Sequence, residues 1–180
     1  MRMYNKLPHT LIINNKEIKI NADYRVFVRF EIEMQGNDTK KAIQNVLSAF
    51  YPAFLLNNIT NEMVDKFIWF YKCGKEEQTQ KGGKGSNARA YDYEIDDELI
   101  YSAFMECYKI DLSKPLHWWK FKSLFKGLNS ECEFCKIKSY RLYNGDDKNL
   151  LELKNFYKLP PTKMELEDKI RQQKLYEALK

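Results

Sequence analysis

No stretch of this 180-residue chain reaches the ~18 consecutive apolar residues that a membrane-spanning helix needs. The best candidate, VLSAFYPAFLL (46–56), is short and broken by Pro52. The opening, MRMYNKLPHTLIINN, carries charge but lacks the ~7–15-residue apolar core of a secretory leader. These absences predict a cytoplasmic protein without membrane contact. Cysteine is scarce: Cys73, Cys107, Cys132 and Cys135 are scattered, and the one close pair, CEFC, has neither a second pair nor a neighbouring histidine. Free thiols are therefore expected rather than a zinc site. Arginine is scarce beside lysine, and the lysines interleave with Glu and Asp. Since arginine forks onto phosphate and guanine, the net charge of +5 points only weakly to nucleic acid. No Ser-His-Asp, Cys-His or HExxH pattern occurs, and GGKGS fails as a phosphate loop because Lys84 precedes Gly85 and the early glycine is missing. No catalytic residue, cofactor or metal site is expected.

What is present is apolar and aromatic. Hydrophobic residues make up 44% of the chain and aromatics 14%, with 12 Tyr and 11 Phe, enough for one real core. The expected fold is mainly α-helical: a single helical domain over 1–160 with a small N-terminal β-hairpin, then a C-terminal helix over 161–180, loosely docked or partner-binding. The hairpin is read from TLIINNKEIKI (10–20), because Asn14-Asn15 tolerate the positive φ of a tight turn. Asp23 is the expected cap of a helix carrying Phe27, Phe30 and Met34, with a strand as the alternative given the β-branched content of this stretch. Asp38 starts a second, with Ile43, Val46, Leu47 and Phe50 inward. Thr60 starts a third, with Met63, Phe67, Ile68 and Tyr71 inward and Gly74 closing it. The glycine-rich 74–90 stretch reads as a flexible loop.

In IDDELIYSAFMECY, the residues Leu99, Ile100, Ala103, Phe104, Cys107 and Tyr108 form a wide apolar stripe behind an Asp96 or Asp97 cap. Asp92, Glu94, Asp96, Asp97 and Glu98 crowd its start. They read either as an acidic first turn complementing the helix dipole or as carboxylates for a divalent metal, with Asp92, Asp96 and Glu98 as the candidates. The dipole reading is preferred. The last helix opens with Pro161 and the capping box Thr162-x-x-Glu165, but Met164, Leu166, Ile170, Leu175 and Leu179 gather on no single stripe.

The run LHWWKFKSLFKGL (116–128) poses the central question, since it sets two tryptophans side by side after one of only two histidines. Ser113 and Pro115 predict a helix from about Lys114 to Leu128. At 100° per residue, Trp118, Phe121, Leu124, Phe125 and Leu128 share a stripe with His117, whereas Trp119 falls in a sector with Lys122 and Lys126. Trp118 then reads as core. Trp119 is either a second packing contact or an exposed anchor, which makes Trp119, Lys122 and Lys126 the candidate partner-binding residues.

The stretch YDYEIDDELIYSAFMECYKIDLSKPLHWWKFKSLFKGL resembles a family from tailed phages and prophages of Gram-positive bacteria, the bacteriophage gene-product-15 family. The matching pieces are an acidic D-x-x-x-I-Y-x-A-F helix (Asp96 to Phe104), Y-x-I-D-L (Tyr108 to Leu112) and L-H-W-W-K-F (Leu116 to Phe121). DYRV (23–26), WFYKCGK (69–75) and IKSYR (137–141) are also similar, so the resemblance spans about 10–145. Asp96, Tyr101, Phe104, His117 and Trp118 are its candidate structural signature. The resemblance implies a non-enzymatic tail-assembly chaperone binding the tape-measure protein, with the tail tube subunit as a further candidate partner, self-association open and no catalytic residue to carry over. The competing expectation is a nucleic-acid-binding accessory protein using the basic loop from Lys72 to Arg89.

Overall fold

The computed structural model describes residues 6–36, 38–75 and 89–178. Among them are one two-stranded antiparallel hairpin and eight α-helices: β1 (Thr10–Ile13), β2 (Lys16–Lys19), α1 (Tyr24–Glu33), α2 (Thr39–Phe50), α3 (Asn61–Tyr71), α4 (Asp97–Tyr108), α5 (Trp118–Lys126), α6 (Glu133–Arg141), α7 (Lys148–Phe156) and α8 (Lys163–Ala178). The fold is mainly α, as the sequence predicts. In the hairpin, Thr10 pairs with Lys19 and Ile13 with Lys16. Asn14 and Asn15 both take positive φ, 49° and 58°, so the turn has the twist that two-residue hairpins require. Leu11 and Ile13 point inward, and β1 packs on α3.

Side-chain caps set most helix starts. Asp23 accepts from Arg25 N, Asp38 from Lys41 N, Thr60 from Met63 N and Asp147 from Leu150 N. The buried faces of α2 and α3 are turned slightly from the expected ones. Ala42 is buried where Ile43 was expected, and Phe70 where Ile68 was expected; Ile43 and Ile68 are about 40% exposed. Helix α4 buries Ile100, Ala103 and Phe104 as the stripe predicts. Helix α7 was not resolved from the sequence.

Helix α5 starts at Trp118 rather than at Lys114. Before it, the chain is extended and pairs through an isolated antiparallel bridge between Asp23 and His117. Tyr24 N donates to Leu116 O (2.8 Å) and Trp118 N to Ala22 O (2.7 Å). Those two bonds override the Ser113-Pro115 start signal and lock the beginnings of α1 and α5 side by side.

The core is a continuous run of rings. Phe27 stacks on Trp118 at 4.8 Å, Trp118 on Phe121 at 5.9 Å, and Phe121 on Phe104 at 5.2 Å; Phe125 then meets Phe134 at 5.4 Å. Each such pair adds about 0.5–1.5 kcal/mol beyond simple burial. The chain thus uses its aromatic content to tie α1, α3, α4, α5 and α6 into one body.

Candidate functional site

The tandem tryptophans close the C-terminal end of α3. A helix end leaves its last carbonyls without intrahelical donors. Trp118 Nε1 donates to Tyr71 O (3.0 Å) and Trp119 Nε1 to Phe70 O (2.8 Å), two consecutive carbonyls of that end. Gly74 N donates to Trp69 O (2.9 Å) with Gly74 at φ 67°. A Cβ on Gly74 would sit 3.0 Å from Trp119 Cη2 and 3.1 Å from the Trp69 ring, so glycine is required by both conformation and space.

Trp119 is 8% exposed, and its ring lies edge-on to Trp69 at 5.5 Å. Of the two readings of Trp119, the packing contact is the one observed and the exposed anchor is corrected: its ring and its N–H are both used inside the molecule. Lys122 is half-buried, with its ammonium 5.0 Å from the Trp118 ring centroid and 3.8 Å from Glu31. Lys126 alone of the three stands exposed. The structure does not assemble Trp119, Lys122 and Lys126 into one surface.

His117 is the N-cap of α5. Its Nδ1 accepts from Trp119 N (3.1 Å), and its Nε2 lies 2.9 Å from Pro8 O. An Nδ1 that accepts and an Nε2 that donates describe the neutral ring. Burial accordingly pushes the His117 pKa below its ordinary value, assisted by His9 and opposed by the Pro8 carbonyl.

A second junction holds the start of α4. Asp96 caps that helix by position but makes no side-chain cap bond. Its carboxylate is engaged by Arg141, Nη1 to Oδ2 at 2.6 Å and Nη2 to Oδ1 at 2.9 Å, and Oδ2 also accepts from Asp92 N (2.9 Å). Both side chains are almost fully buried. Arg141 Nε donates to Tyr157 O (2.7 Å). Beside this pair, Arg89 Nη1 reaches Asp92 Oδ2 and Gln35 Oε1, each at 2.6 Å, and Nη2 donates to Pro160 O. Asp92 Oδ1 accepts from Glu94 N and Ile95 N. Burial raises the Asp92 pKa, but these donors and Arg89 outweigh it and hold the carboxyl below its usual range.

The carboxylates of Asp92 and Asp96 are thus committed to guanidinium and backbone donors, while Glu98 is exposed on the surface. Among the described residues no group of three or more His, Cys, Asp or Glu is arranged to hold a metal ion. The ion-pairing roles of Arg141, the last residue of IKSYR, and of Arg89, the end of the expected basic loop, were missed from sequence. Asp96 lies 45 positions from Arg141, and no local pattern links them. Cys132 and Cys135 are buried free thiols in and before α6, and burial raises the Cys132 thiol pKa. Phe104 is fully buried, whereas Tyr101 is about 40% exposed, with its hydroxyl 3.2 Å from Asp111 Oδ1. The expected basic loop falls largely in 76–88, outside the described residues.

Of the surface clefts among the described residues, two stand out by their lining. One, about 590 Å³, lies between α1 and α4, with Tyr24, Tyr93, Ile100 and Phe121 below and Asp97 and Glu98 at its edge. The other, about 550 Å³, is bounded by the end of α7 and by α8, and carries Arg89, Lys154, Lys158 and Lys169 against Glu165 and Asp168. No helix among the described residues is long and apolar enough to cross a membrane.

Comparison with curated proteins and with solved structures returns no match. Comparison with protein families matches residues 3–166 to the family described as Bacteriophage Gp15 protein, a span that reaches past the 10–145 resemblance into the first turn of α8. With every described residue except 167–178 inside that match, the chain belongs to the bacteriophage Gp15 family.

Proposed function

We propose that this protein serves phage tail morphogenesis as a non-catalytic assembly chaperone. In this reading it holds the tape-measure protein in the host cytoplasm until tube subunits enclose it. The observation that carries the reading is how the family-like stretches are used. LHWWKF, WFYKCGK, DYRV and the Asp96 helix with IKSYR meet at two junctions that lock the fold. A general base or nucleophile needs a lone pair aimed at substrate. The candidates here, half-buried His117 and buried Asp92 and Asp96, instead spend theirs on caps and guanidinium pairs. What such a body offers to other molecules is its surface: open clefts and a terminal helix with Met164, Leu166 and Ile170 exposed. Clefts and helix faces are the means by which helical clients are held.

The test is co-expression of the tape-measure protein of the same phage or prophage with and without this chain. The expected result is that the tape-measure protein stays soluble and co-purifies only when the chain is present. Equal solubility in both cultures, with no tape-measure protein in the purified fraction, would overturn the proposal.

A further inference from the structure

The cleft between α1 and α4 has an apolar, ring-lined floor and an acidic edge. Tyr24, Tyr93 and Phe121 line it below, and Asp97 and Glu98 stand exposed at its rim. None of its lining residues is a lysine or arginine, and no described lysine or arginine lies within ion-pair distance of either rim carboxylate. A site of this kind favours an apolar side chain that arrives with a positive charge beside it.

The same chain presents such a group. Phe156, the last residue of α7, is 79% exposed, more than any other large hydrophobic among the described residues. Its ring is held edge-on by Tyr157 at 4.9 Å, and Tyr157 in turn stacks on Tyr140 at 6.0 Å, so its direction is set before any partner arrives. Lys154 and Lys158 flank it in sequence and line the basic cleft at the end of α7; Glu152, one turn back, is the acid on its side of the helix. Helix α7 buries none of its nine residues. Although Leu153 and Lys154 are half-buried where α7 packs on α6, the Phe156 ring meets no described ring but that of Tyr157 and stands free for a partner.

From these two complementary surfaces we infer that the protein self-associates, with Phe156 of one copy seated in the α1–α4 cleft of a second copy and Lys158 facing Asp97 and Glu98. The cleft's 590 Å³ exceeds the volume of one phenyl ring, leaving room for the Tyr157 edge to follow. Knob and cleft are different surfaces of one chain. Reciprocal seating therefore closes a two-fold dimer, and one-way seating builds a ring or a chain of copies. The inference concerns the purified protein alone and stands apart from any tail client.

The experiment is sedimentation velocity of the full chain from about 1 to 100 µM, the range in which small interfaces associate. Wild type is expected to shift to a larger species as concentration rises. Phe156→Ser removes the knob, and Ser102→Trp, at an exposed position on the cleft wall, fills the hole. Each is expected to weaken association by about tenfold or more, as loss of a central anchor does, with the thermal melt of the monomer unchanged. Glu98→Lys and Lys158→Glu should each weaken association singly and restore it when combined across copies. A wild type that stays monomeric throughout, or an association indifferent to both Phe156→Ser and Ser102→Trp, overturns the inference.

Discussion

At the scale of single residues, the two tryptophans work as a pair although they leave α5 about 100° apart. The sequence argument from that angle holds that they cannot serve one pocket. An indole is long enough that both N–H groups reach neighbouring carbonyls from different sides, and here those carbonyls are Phe70 O and Tyr71 O. Trp119→Phe keeps most of the ring and drops the donor. Since Phe70 O still accepts from Cys73 N, the lost hydrogen bond is worth about 1 kcal/mol net, and the missing Cη2 contact beside Gly74 adds a smaller packing loss. Trp119→Ala also leaves a cavity against Trp69 and Gly74, and should cost about 3–5 kcal/mol. Urea unfolding of both variants separates the two contributions. Equal losses would mean that the N–H does most of the work and the ring little. Asp96 gives a sharper case. Asp96→Asn leaves the Arg141 guanidinium buried without its counter-ion, for an expected loss of about 3–5 kcal/mol. The double change Asp96→Asn with Arg141→Met removes the stranded charge and should recover part of that stability in the same assay. No recovery would place the importance of Arg141 in its bond to Tyr157 O instead.

At the scale of elements, α5 depends on a neutral His117 for its first turn. The folded state lowers the His117 pKa through burial, while the unfolded chain takes up a proton near pH 6.5. The group's contribution is therefore complete above about pH 6.5 and is lost as pH falls through the lowered folded value, because a protonated Nδ1 cannot accept from Trp119 N. His117→Asn keeps a capping acceptor that does not titrate. Wild type should be the more pH-sensitive of the two as pH falls below about 6.5, followed by thermal melts at fixed ionic strength. Parallel melting curves across that window would count against the cap.

The same helix shows what could and could not be read from sequence. Caps such as Asp23, Asp38 and Thr60 are written locally, and the hairpin turn Asn14-Asn15 likewise. The start of α5 is not, because an extended pairing with Ala22 and Tyr24, about 90 residues away, overrules the Ser113-Pro115 signal. In α2 and α3, apolar residues flank the true buried stripe on both sides. Helical periodicity alone then cannot choose Ala42 over Ile43 or Phe70 over Ile68. The Asp96–Arg141 junction has no sequence pattern at all, since its members meet only after α4 and α6 pack.

At the scale of the whole molecule, two kinds of attachment divide the chain. Helices α1 to α6 are joined through many rings, whereas the limb from α7 onward has one ring stack, Tyr157 on Tyr140, and is otherwise tied by polar clasps: Arg141 to Tyr157 O, Arg89 to Pro160 O, and Lys154 to Tyr143 O at 2.6 Å. Beyond Thr162, helix α8 carries its own capping box, with Thr162 N to Glu165 at 2.7 Å and Glu165 N to Thr162 Oγ1 at 3.1 Å. Its exposed Met164, Leu166 and Ile170 add little burial to the body. Two truncations should therefore behave differently. Ending the chain at Thr162 keeps all three clasps, so the melting temperature should stay within a few degrees of full length, the size of a change below about 1 kcal/mol for a chain this long. Ending it at Phe156 removes the Tyr157 and Pro160 carbonyls and leaves the buried guanidinium of Arg141 short of an acceptor. That omission costs about 1–3 kcal/mol and should lower the melt visibly. Hydrogen exchange on the full chain gives an independent reading, with α8 exchanging well before α4 and α5. If the shorter truncation melts with full length, the clasps do not hold the limb. If ending at Thr162 is already costly, α8 contributes to the body through contacts its exposure does not reveal.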